Sequence, residues 1–355
     1  MEAGLHVGVQ LAVSVAGEPV GALALGEARP GVAMSADTLM PWFSCTKAVT
    51  ATALLQQWDR GEVDLDDLVR SHIPDFAQHG KGAVTIRHLL THTAGLRNAD
   101  GTAAEVRTMS PEQWLERICA SPLEDGWVPG RRAGYHARAS FVVLGEIVHL
   151  IDGRPFDEYV RNEVFTPLGM ADSWLALSPE RYRAYGDRMG AMHDTSGAEP
   201  RVIRGLAADD AYGHCVASGS GVGPMTDLVR LYESLLGVGQ PVLSRQAAEA
   251  MSARHRTGMV DETFGTTIDW GLGVMVNSWH YRQRPAPYGY GDHASRRAFG
   301  HGGSQSSLAF ADPEHGLTVA LVCNGMPGEP KNHKRTQPAI TALYEDLGLV
   351  PRPEA

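Results

Sequence analysis

Strand-like segments lie near both ends of this chain, and helical patterns fill the sequence between them. The strand-like runs span residues 8–15, 19–26, 271–276, 306–311 and 317–323. The helical runs span 44–59, 85–92, 111–119, 139–151, 156–164 and 225–236, with a last helix near 335–347. Apolar positions three and four apart favour helices, and short apolar runs between turn residues favour strands. This order predicts one sheet built from both chain ends, with a mainly helical segment packed against it.

The predicted fold class is therefore α/β with additional helices. An antiparallel sheet from both chain ends, flanked by helices, forms an α/β domain of residues 1–65 and 255–355. Residues 66–254 form a mainly helical domain inserted between them. With 355 residues, of which 43% are hydrophobic, the chain can bury a large core in one or two domains.

The first predicted helix begins with the sequence Trp42-Phe43-Ser44-Cys45-Thr46-Lys47. Ser44 and Lys47 are three residues apart, so their side chains lie on one helix face. The same face continues with Ala51, Leu54, Leu55 and Trp58. It therefore points into a core, where desolvation favours a neutral lysine that can activate the serine. The alternative is an N-cap serine followed by a solvated lysine.

Two further segments carry candidate chemistry. Tyr135 lies in a glycine- and arginine-rich stretch just before the predicted helix 139–151. It is a candidate functional residue, and the alternative interpretation is an aromatic side chain that only packs in the core. Residues 299–304, Phe-Gly-His-Gly-Gly-Ser, precede an alternating strand. Glycines there permit close approach of another backbone or of a ligand, and the alternative is a bulged edge strand.

Taken together, these motifs resemble those of the serine β-lactamase and penicillin-binding-protein superfamily, in particular its class C-like esterase and transacylase branch. The S-x-x-K motif of that family is similar to Ser44–Lys47, its Tyr-x-Asn to Tyr135-His136-Ala137, and its third motif to His301-Gly302-Gly303. The sequence segments 85–96, 165–170 and 270–273 also resemble the corresponding segments of the family. The resemblance covers roughly residues 8–347.

The resemblance implies a role for each motif residue. Ser44 is the nucleophile that forms an acyl-enzyme. Lys47, alone or sharing a proton with Tyr135, accepts the serine proton, and which of the two is the formal base stays open. The backbone N–H groups of Ser44 and Ser304 form the oxyanion hole. The residues that we expect to bind the substrate are His136, Trp279, Tyr281, Arg297, His301, Gly302 and Gly303.

Two departures from the family pattern bear on the reaction. Ala137 stands where the family has asparagine, and no Tyr-x-Asn occurs in the chain. The E-x-x-L-N motif that carries a deacylating glutamate in class A relatives is also missing. The missing asparagine argues against a β-lactamase or peptidase, and without the glutamate motif water must be activated by another group or is not the natural acceptor. We expect a small ester or amide as substrate, in specialised metabolism. Hydrolysis and transacylation stay open, and the alternatives are a catalytically silent binding protein on the same fold and a β-lactamase or peptidase.

The long loop 278–297 precedes the third motif. It carries Trp279, Tyr281, Tyr288 and Arg297, which could stack on a planar substrate or hold an anion. We predict that this loop forms a wall or lid of the substrate pocket. The alternative is an exposed surface loop.

Composition limits the partners of the chain. The net charge is −10 and no Lys/Arg-rich run occurs, so nucleic acid is not an expected partner. No signal peptide and no run of 18 apolar residues is found, so no membrane is expected. Four widely spaced cysteines indicate reduced thiols and a cytoplasmic location. No cofactor or metal is predicted, and the expected partners are a small-molecule acyl donor and an amine or alcohol acceptor.

Overall fold

The computed structural model describes residues 3–102, 105, 109–281 and 289–350. The strands are β1 (Gly8–Val15), β2 (Glu18–Arg29), β3 (Val32–Ala33), β4 (Met40–Pro41), β5 (His193–Asp194), β6 (Arg201–Val202), β7 (Val222–Gly223), β8 (Val260–Asp261), β9 (Thr266–Thr267), β10 (Asp269–Trp270), β11 (Met275–Val276), β12 (Phe299–Gly303), β13 (Ser307–Asp312), β14 (Leu317–Cys323) and β15 (Gly325–Met326). The helices are α1 (Thr46–Asp59), α2 (Val69–His72), α3 (Ile86–Leu90), α4 (Pro111–Ala120), α5 (Ala139–Asp152), α6 (Phe156–Val160), α7 (Pro179–Tyr185), α8 (Met225–Leu235), α9 (Arg245–Ser252) and α10 (Glu329–Asp346).

An eight-stranded antiparallel sheet joins the two ends of the chain. Its strand order is β10-β11-β12-β13-β14-β1-β2-β3. The N-terminal strand β1 pairs directly with β14, with Val9 opposite Cys323 and Val15 opposite Leu317. The predicted fold class, an antiparallel sheet from both ends with helices around it, is confirmed.

Helices cover both faces of this sheet because successive strand residues point to opposite sides. Ala12 faces the helical segment of the chain, where α8 crosses β1, β13 and β14. The next residue, Val13, faces α10 and packs in a second core with Ile340 and Tyr344. Small side chains on the α8 face, such as Ala309, leave room for the helix to lie close to the sheet.

Helix α1 lies at the centre of the molecule and is buried from Thr46 to Gln57. It packs against α5, α6 and α9 and contacts β12. Leu54 and Leu55 are fully buried, and each contributes about 1.5–3 kcal/mol to folding. The first turn of α1 is therefore held rigidly between the sheet and the helices.

Some predicted boundaries change in the structure. The predicted strand 271–276 is a short hairpin, because the chain turns after β10 and Gly273 has a φ of 79°. The last helix begins at Glu329, six residues early, with Pro330 in its first turn. The predicted helix 156–164 changes to π-helical geometry at Arg161–Phe165.

Two further expectations concern the chain as a whole. The domain boundaries at 65/66 and 254/255 stay a prediction. Within the residues that the structure describes, no helix is both long and apolar enough to cross a membrane.

Candidate active site

Ser44 lies in a strained turn that leads into α1. The preceding residue, Phe43, has a φ of 48°, a left-handed conformation that costs a non-glycine residue about 1–2 kcal/mol. Neighbouring contacts hold this turn, because the amide of Trp42 donates to the Gly221 carbonyl at 2.8 Å and its own carbonyl accepts from Ser307 Oγ at 2.7 Å. The strain therefore orients Ser44 toward an open cleft.

Lys47 is completely buried directly behind Ser44. Its Nζ lies 3.1 Å from Ser44 Oγ and donates to the carbonyls of Ala137 at 2.8 Å and Ser218 at 2.9 Å. Burial lowers the pKa of Lys47 to about 7, and the charge of nearby Asp100 partly opposes that effect. The amine is thus close to half neutral at physiological pH.

The hydrogen bonds around Lys47 fit the neutral amine. A neutral amine has two N–H groups and one lone pair. The two carbonyls, of Ala137 and Ser218, take the two N–H groups. The lone pair then faces the hydroxyl of Ser44 and can accept its proton.

Tyr135 contacts the nucleophile from the other side. Its Oη donates to Ser44 Oγ at 2.8 Å. Burial raises the pKa of Tyr135 well above its ordinary value, although the hydrogen bond to Ser44 works in the opposite direction. The phenol therefore keeps its proton at neutral pH, and this difference favours Lys47 over Tyr135 as the base in the resting site.

Asp100 supports this arrangement and was not predicted from the sequence. Its carboxylate accepts three successive backbone N–H groups, of Ala137 at 2.6 Å, Arg138 at 2.8 Å and Ala139 at 2.8 Å. These groups precede or begin α5 and have no partner inside the helix. Burial raises the pKa of Asp100, and the three amides lower it. Asp100 thereby fixes the carbonyl of Ala137 that binds Lys47.

Strand β12 forms the wall next to Ser44. A Cβ atom at Gly303 would lie 2.3 Å from the carbonyl oxygen of Trp42, so glycine is needed for this close approach. Gly302 and Ser304 line the cleft together with Ser44. The amides of Ser44 and Ser304 find no acceptor among the described residues. They are available for an oxyanion, and that role stays a prediction.

His301 is 1% exposed, and its side chain does not line the cleft. Its Nδ1 lies 2.7 Å from the carbonyl of Gly302, and its ring packs edge-on against Trp270. Burial lowers the pKa of His301 to about 3, so the ring is neutral where the family has a lysine. His301 does not reach the cleft because its side chain lies behind the strand, and Gly303 serves the packing of β12; contact of either residue with substrate stays a prediction.

His136 is also placed inside the protein and does not line the cleft, and its contact with substrate stays a prediction. It is fully buried, and its Nε2 accepts the amides of Gly95 and Leu96 at 3.2 and 3.0 Å. Its Nδ1 lies 2.7 Å from Ser140 Oγ. Both ring nitrogens are therefore used inside the protein. Alternation along the segment turns the middle residue of the motif away from the site.

Cys45, next to the nucleophile, is a packing residue. Its thiol is fully buried and donates to the carbonyl of His301 at 3.0 Å. Burial raises the pKa of Cys45 to about 12, so almost no thiolate exists at neutral pH.

The cleft in front of Ser44 has a volume of about 600 Å³. One side is formed by the segment 203–220, which sequence reasoning did not connect with the site. The apolar side chains that line the cleft are Pro41, Phe43, Ile203, Leu206, Ala211, Tyr212, Val216, Phe264 and Met326. The charged and titratable ones, beside Tyr135, are Arg138, Asp210, His214 and Glu329. Ile203 and Leu206 carry no sequence signal, because their position depends on long-range packing.

The predicted lid 278–297 does not line the cleft in its described part. Trp279 is 45% exposed, Tyr281 Oη donates to Asp269 Oδ1 at 2.9 Å, and Arg297 is exposed. The loop enters β12 at its start, whereas Ser304 follows its end, and five strand residues separate the two by about 15 Å. The described part of the loop thus does not bring Trp279, Tyr281 or Arg297 to the cleft, and their assignment to substrate binding stays a prediction. Tyr288 lies outside the described residues.

No metal centre is formed by the residues that the structure describes, since no three His, Cys, Asp or Glu side chains are grouped to hold an ion. All four cysteines are free thiols.

Comparison with known proteins agrees with this geometry. The family described as Beta-lactamase matches residues 1–343. Esterase EstB of Burkholderia gladioli is 28% identical over 343 residues, which cover 86% of this chain and 83% of EstB. A penicillin-binding-protein homologue from Caulobacter crescentus has a similar structure, with a TM-score of 0.78 and 29% identity over 94% of this chain and 92% of that chain.

A second solved structure shares the fold alone. EstCE1, described as a hydrolase with promiscuous acyltransferase activity, gives a TM-score of 0.80 with 21% identity, covering 96% of this chain and 95% of that chain. The whole-length family match, the fold and the Ser-Lys-Tyr cluster lead to one conclusion: the chain belongs to the β-lactamase family.

Proposed function

We propose that this protein transfers acyl groups from a small ester or amide through a covalent intermediate on Ser44. A single observation carries the proposal. Ser44 Oγ lies within hydrogen-bond distance of both Lys47 Nζ and Tyr135 Oη at the base of an open cleft. A nucleophile with a buried base on one side and a proton donor on the other has the parts needed for acyl transfer.

In the acylation half-reaction, Ser44 Oγ attacks the carbonyl carbon of the donor while its proton moves to Lys47 Nζ. The carbonyl oxygen becomes an oxyanion held by the amides of Ser44 and Ser304. The bond to the leaving group then breaks, and Tyr135 gives its proton to the departing alcohol or amine. The acyl-enzyme is left with Lys47 as the ammonium and Tyr135 as the phenolate, and in deacylation Lys47 returns its proton to Ser44 Oγ as the acyl bond breaks.

Deacylation runs through the same groups in reverse. Tyr135, with Lys47 behind it, takes the proton of the acceptor as that acceptor attacks the acyl-enzyme. When the acceptor is water the protein acts as an esterase, and when it is an amine or alcohol the protein acts as a transacylase. Among the described residues no carboxylate forms an ion pair with Lys47, and Tyr135 is the group in contact with Ser44 Oγ that can take the proton of either acceptor.

The substrate assignment rests on the cleft and on the relatives. The exposed surface of the cleft is mainly apolar, which suits a small apolar acyl ester. EstB is described as an esterase, and the fold of EstCE1 accommodates both hydrolysis and acyl transfer. We favour an esterase or transacylase of specialised metabolism on these grounds. Cytoplasmic location and the absence of nucleic-acid and membrane partners stay predictions from the sequence.

Intact-mass spectrometry tests the proposal. The protein is mixed with a panel of 4-nitrophenyl esters, with and without primary amine acceptors, and the mass of the trapped acyl adduct is mapped by peptide analysis. We expect one acyl group on Ser44, none in Ser44→Ala, and unchanged labelling in the exposed-serine control Ser71→Ala. Formation of an amide product would establish transfer in addition to hydrolysis.

The same experiment separates the competing functions. If no ester and no fluorophosphonate labels Ser44, the protein is a silent binding scaffold and the proposal fails. If Ser44→Ala still turns over and the label lies on Cys45, the nucleophile is wrongly assigned. Turnover of a β-lactam at the rate of the best ester would instead favour the β-lactamase alternative.

A further inference from the structure

Arg138 places a positive charge in the cleft beside the nucleophile. It follows Tyr135 by three residues and lines the cleft together with Ser44. Its Nη1 donates to the backbone carbonyls of Asp100 at 2.8 Å and Gly101 at 3.0 Å. These two bonds fix one edge of the guanidinium and hold the side chain in place.

Arg138 forms no ion pair with a described Asp or Glu side chain, although the charges of Asp100 and Glu105 act on its guanidinium from farther away. The nearest candidate, the Asp100 carboxylate, is turned to the amides of residues 137–139 instead. Nε and Nη2 of Arg138 donate no hydrogen bond to a described residue. Burial lowers the pKa of Arg138, yet arginine stays protonated, so a half-buried cation faces the cleft with free N–H groups.

The charge of Arg138 differs in sign or kind from every other group that lines the cleft. Arg138 is the one lysine or arginine among the described lining residues. The acids that line the cleft belong to other elements, since Asp210 lies in the turn before β7 and Glu329 begins α10. The apolar side chains around the cleft reduce the local dielectric, which strengthens a charge-assisted hydrogen bond.

We propose that Arg138 binds a carboxylate on the substrate, a few atoms from the carbonyl that Ser44 attacks. The proposal rests on the proposed acyl transfer at Ser44. Guanidinium and carboxylate match in shape and can form two parallel hydrogen bonds. The preferred substrate is then an ester that carries an acid group in its acyl part or in its leaving group.

Two pairs of esters distinguish these two positions. For the acyl part, 4-nitrophenyl hemiglutarate is compared with 4-nitrophenyl pentanoate. For the leaving group, 3-butyryloxy-4-nitrobenzoate is compared with 2-nitrophenyl butyrate. The kcat/KM ratio within each pair is measured for the wild type, Arg138→Gln, Arg138→Lys and the exposed control Arg131→Gln.

We expect the wild type to prefer one acidic ester over its neutral partner. Arg138→Gln should lose about tenfold to a hundredfold of that preference. Because the charge of Arg138 also lowers the pKa of Lys47, the neutral partner is the internal reference, and the loss in kcat/KM should be larger for the acidic ester than for its neutral partner. Arg138→Lys should retain part of the preference and Arg131→Gln all of it.

The result that overturns the proposal is a wild type without preference in either pair, or a preference that Arg138→Gln keeps. Failure of the proposed function looks different, because then neither neutral ester acylates Ser44. In that case calorimetric binding of the unreacted hemiglutarate ester to wild type and Arg138→Gln decides the proposal: tighter binding to wild type supports it, and equal binding refutes it.

Discussion

Asp100 and Lys47 lie near each other inside the protein, yet their side chains do not form an ion pair. The carboxylate of Asp100 is taken by three backbone amides, and the amine of Lys47 by two backbone carbonyls. The carbonyl of Ala137 belongs to the same residue whose amide Asp100 binds. Asp100 therefore acts on Lys47 both through its charge and by fixing one acceptor of the amine.

The first prediction concerns the pH dependence of acylation. Lys47 must be neutral to accept the serine proton, so the single-turnover rate should rise with pH through about 7. In Asp100→Asn the negative charge that raises the pKa of Lys47 is gone, so this rise should move to lower pH. The rate on the plateau should fall about tenfold or more, because one amide of the 137–139 segment loses its acceptor.

The controls for this prediction separate charge from structure. The exposed Asp125→Asn should leave the pH profile in place. The other groups that surround Lys47 and titrate or carry charge are Cys45, His92, Tyr135, His136, Arg138 and His301. All three histidines have a pKa lowered by burial and stay neutral near pH 7. A plateau loss without any movement of the profile would show that Asp100 is only a helix cap.

The second prediction treats Lys47 and Tyr135 as one unit around Ser44. Lys47→Ala and Tyr135→Phe should each lower the acylation rate by more than about a hundredfold, the range of general acid–base groups. The double variant should be little worse than either single one, because both act on the same proton. Stopped-flow acylation of the four proteins measures this, with Lys331→Ala as an exposed control. Additive losses in the double variant would contradict the coupled scheme.

The part of the site that lies within one local element could be predicted from the sequence. Ser44 and Lys47 face the same way because one helical turn carries both, and the apolar residues after them place that face in the core. Asp100 gave no such signal, since it caps α5 from 37 residues away along the chain. Its role depends on tertiary packing that periodicity does not contain.

The differences between the predicted and the observed positions of other residues also arise from tertiary packing. The loop 278–297 is near the third motif in sequence, but it joins β12 at the end remote from Ser304. His136 is next to Tyr135 in sequence, but adjacent residues in this extended segment point to opposite sides. The segment 203–220 is held at Ser44 by long-range contacts, since β7 that follows it pairs with β4, so Ile203 and Leu206 could not be placed from their local sequence.

The third prediction is a loss of stability in mild acid. His136 and His301 have folded pKa values near 3 against 6.5 for the free side chain. Their contribution is therefore complete above pH 6.5 and declines as the pH falls toward 3, because the unfolded chain takes up protons first. Each histidine should add about 1.4 kcal/mol per pH unit to the decline in the free energy of unfolding.

Urea denaturation at pH 7, 5.5 and 4.5 checks this decline. In His301→Asn the amide can still donate to the carbonyl of Gly302, and the slope with pH should be smaller than in the wild type. His79→Asn, at an exposed position, should keep the wild-type slope. An unchanged slope in His301→Asn would show that this ring is protonated in the native state or that it is not protected by the fold.

The fourth prediction is poor turnover of β-lactams. The family asparagine that binds the amide of such substrates is replaced by Ala137, whose methyl group forms no hydrogen bond. Its carbonyl is already bound by Lys47 at 2.8 Å. A substrate whose polar groups stay unpaired loses rate and affinity. Nitrocefin should be hydrolysed at least about a hundredfold less efficiently than the best ester, and Ala137→Asn should narrow this gap.

The fifth prediction assigns control of water access to the segment 203–220. Ile203, Leu206 and Tyr212 cover the cleft in front of Ser44, whereas the exposed Trp279 lies away from it. A cover that excludes water protects the acyl-enzyme from hydrolysis and leaves it to a bound amine or alcohol. Replacing residues 204–211 by a short Gly-Ser linker should therefore raise the hydrolysed share of one ester in the presence of an amine.

Product ratios from liquid chromatography measure that partition. The same linker in place of the exposed turn 196–200 is the matched control. Trp279→Ala tests the loop 278–297, which the sequence predicts to form a wall or lid of the pocket. Both should leave the partition unchanged, while the 204–211 variant should also show a higher KM for esters with long acyl chains, since apolar contacts in the cleft are lost. If the 204–211 variant partitions like the wild type, this segment shapes the cleft without excluding water, and any preference for transfer must come from binding of the acceptor itself.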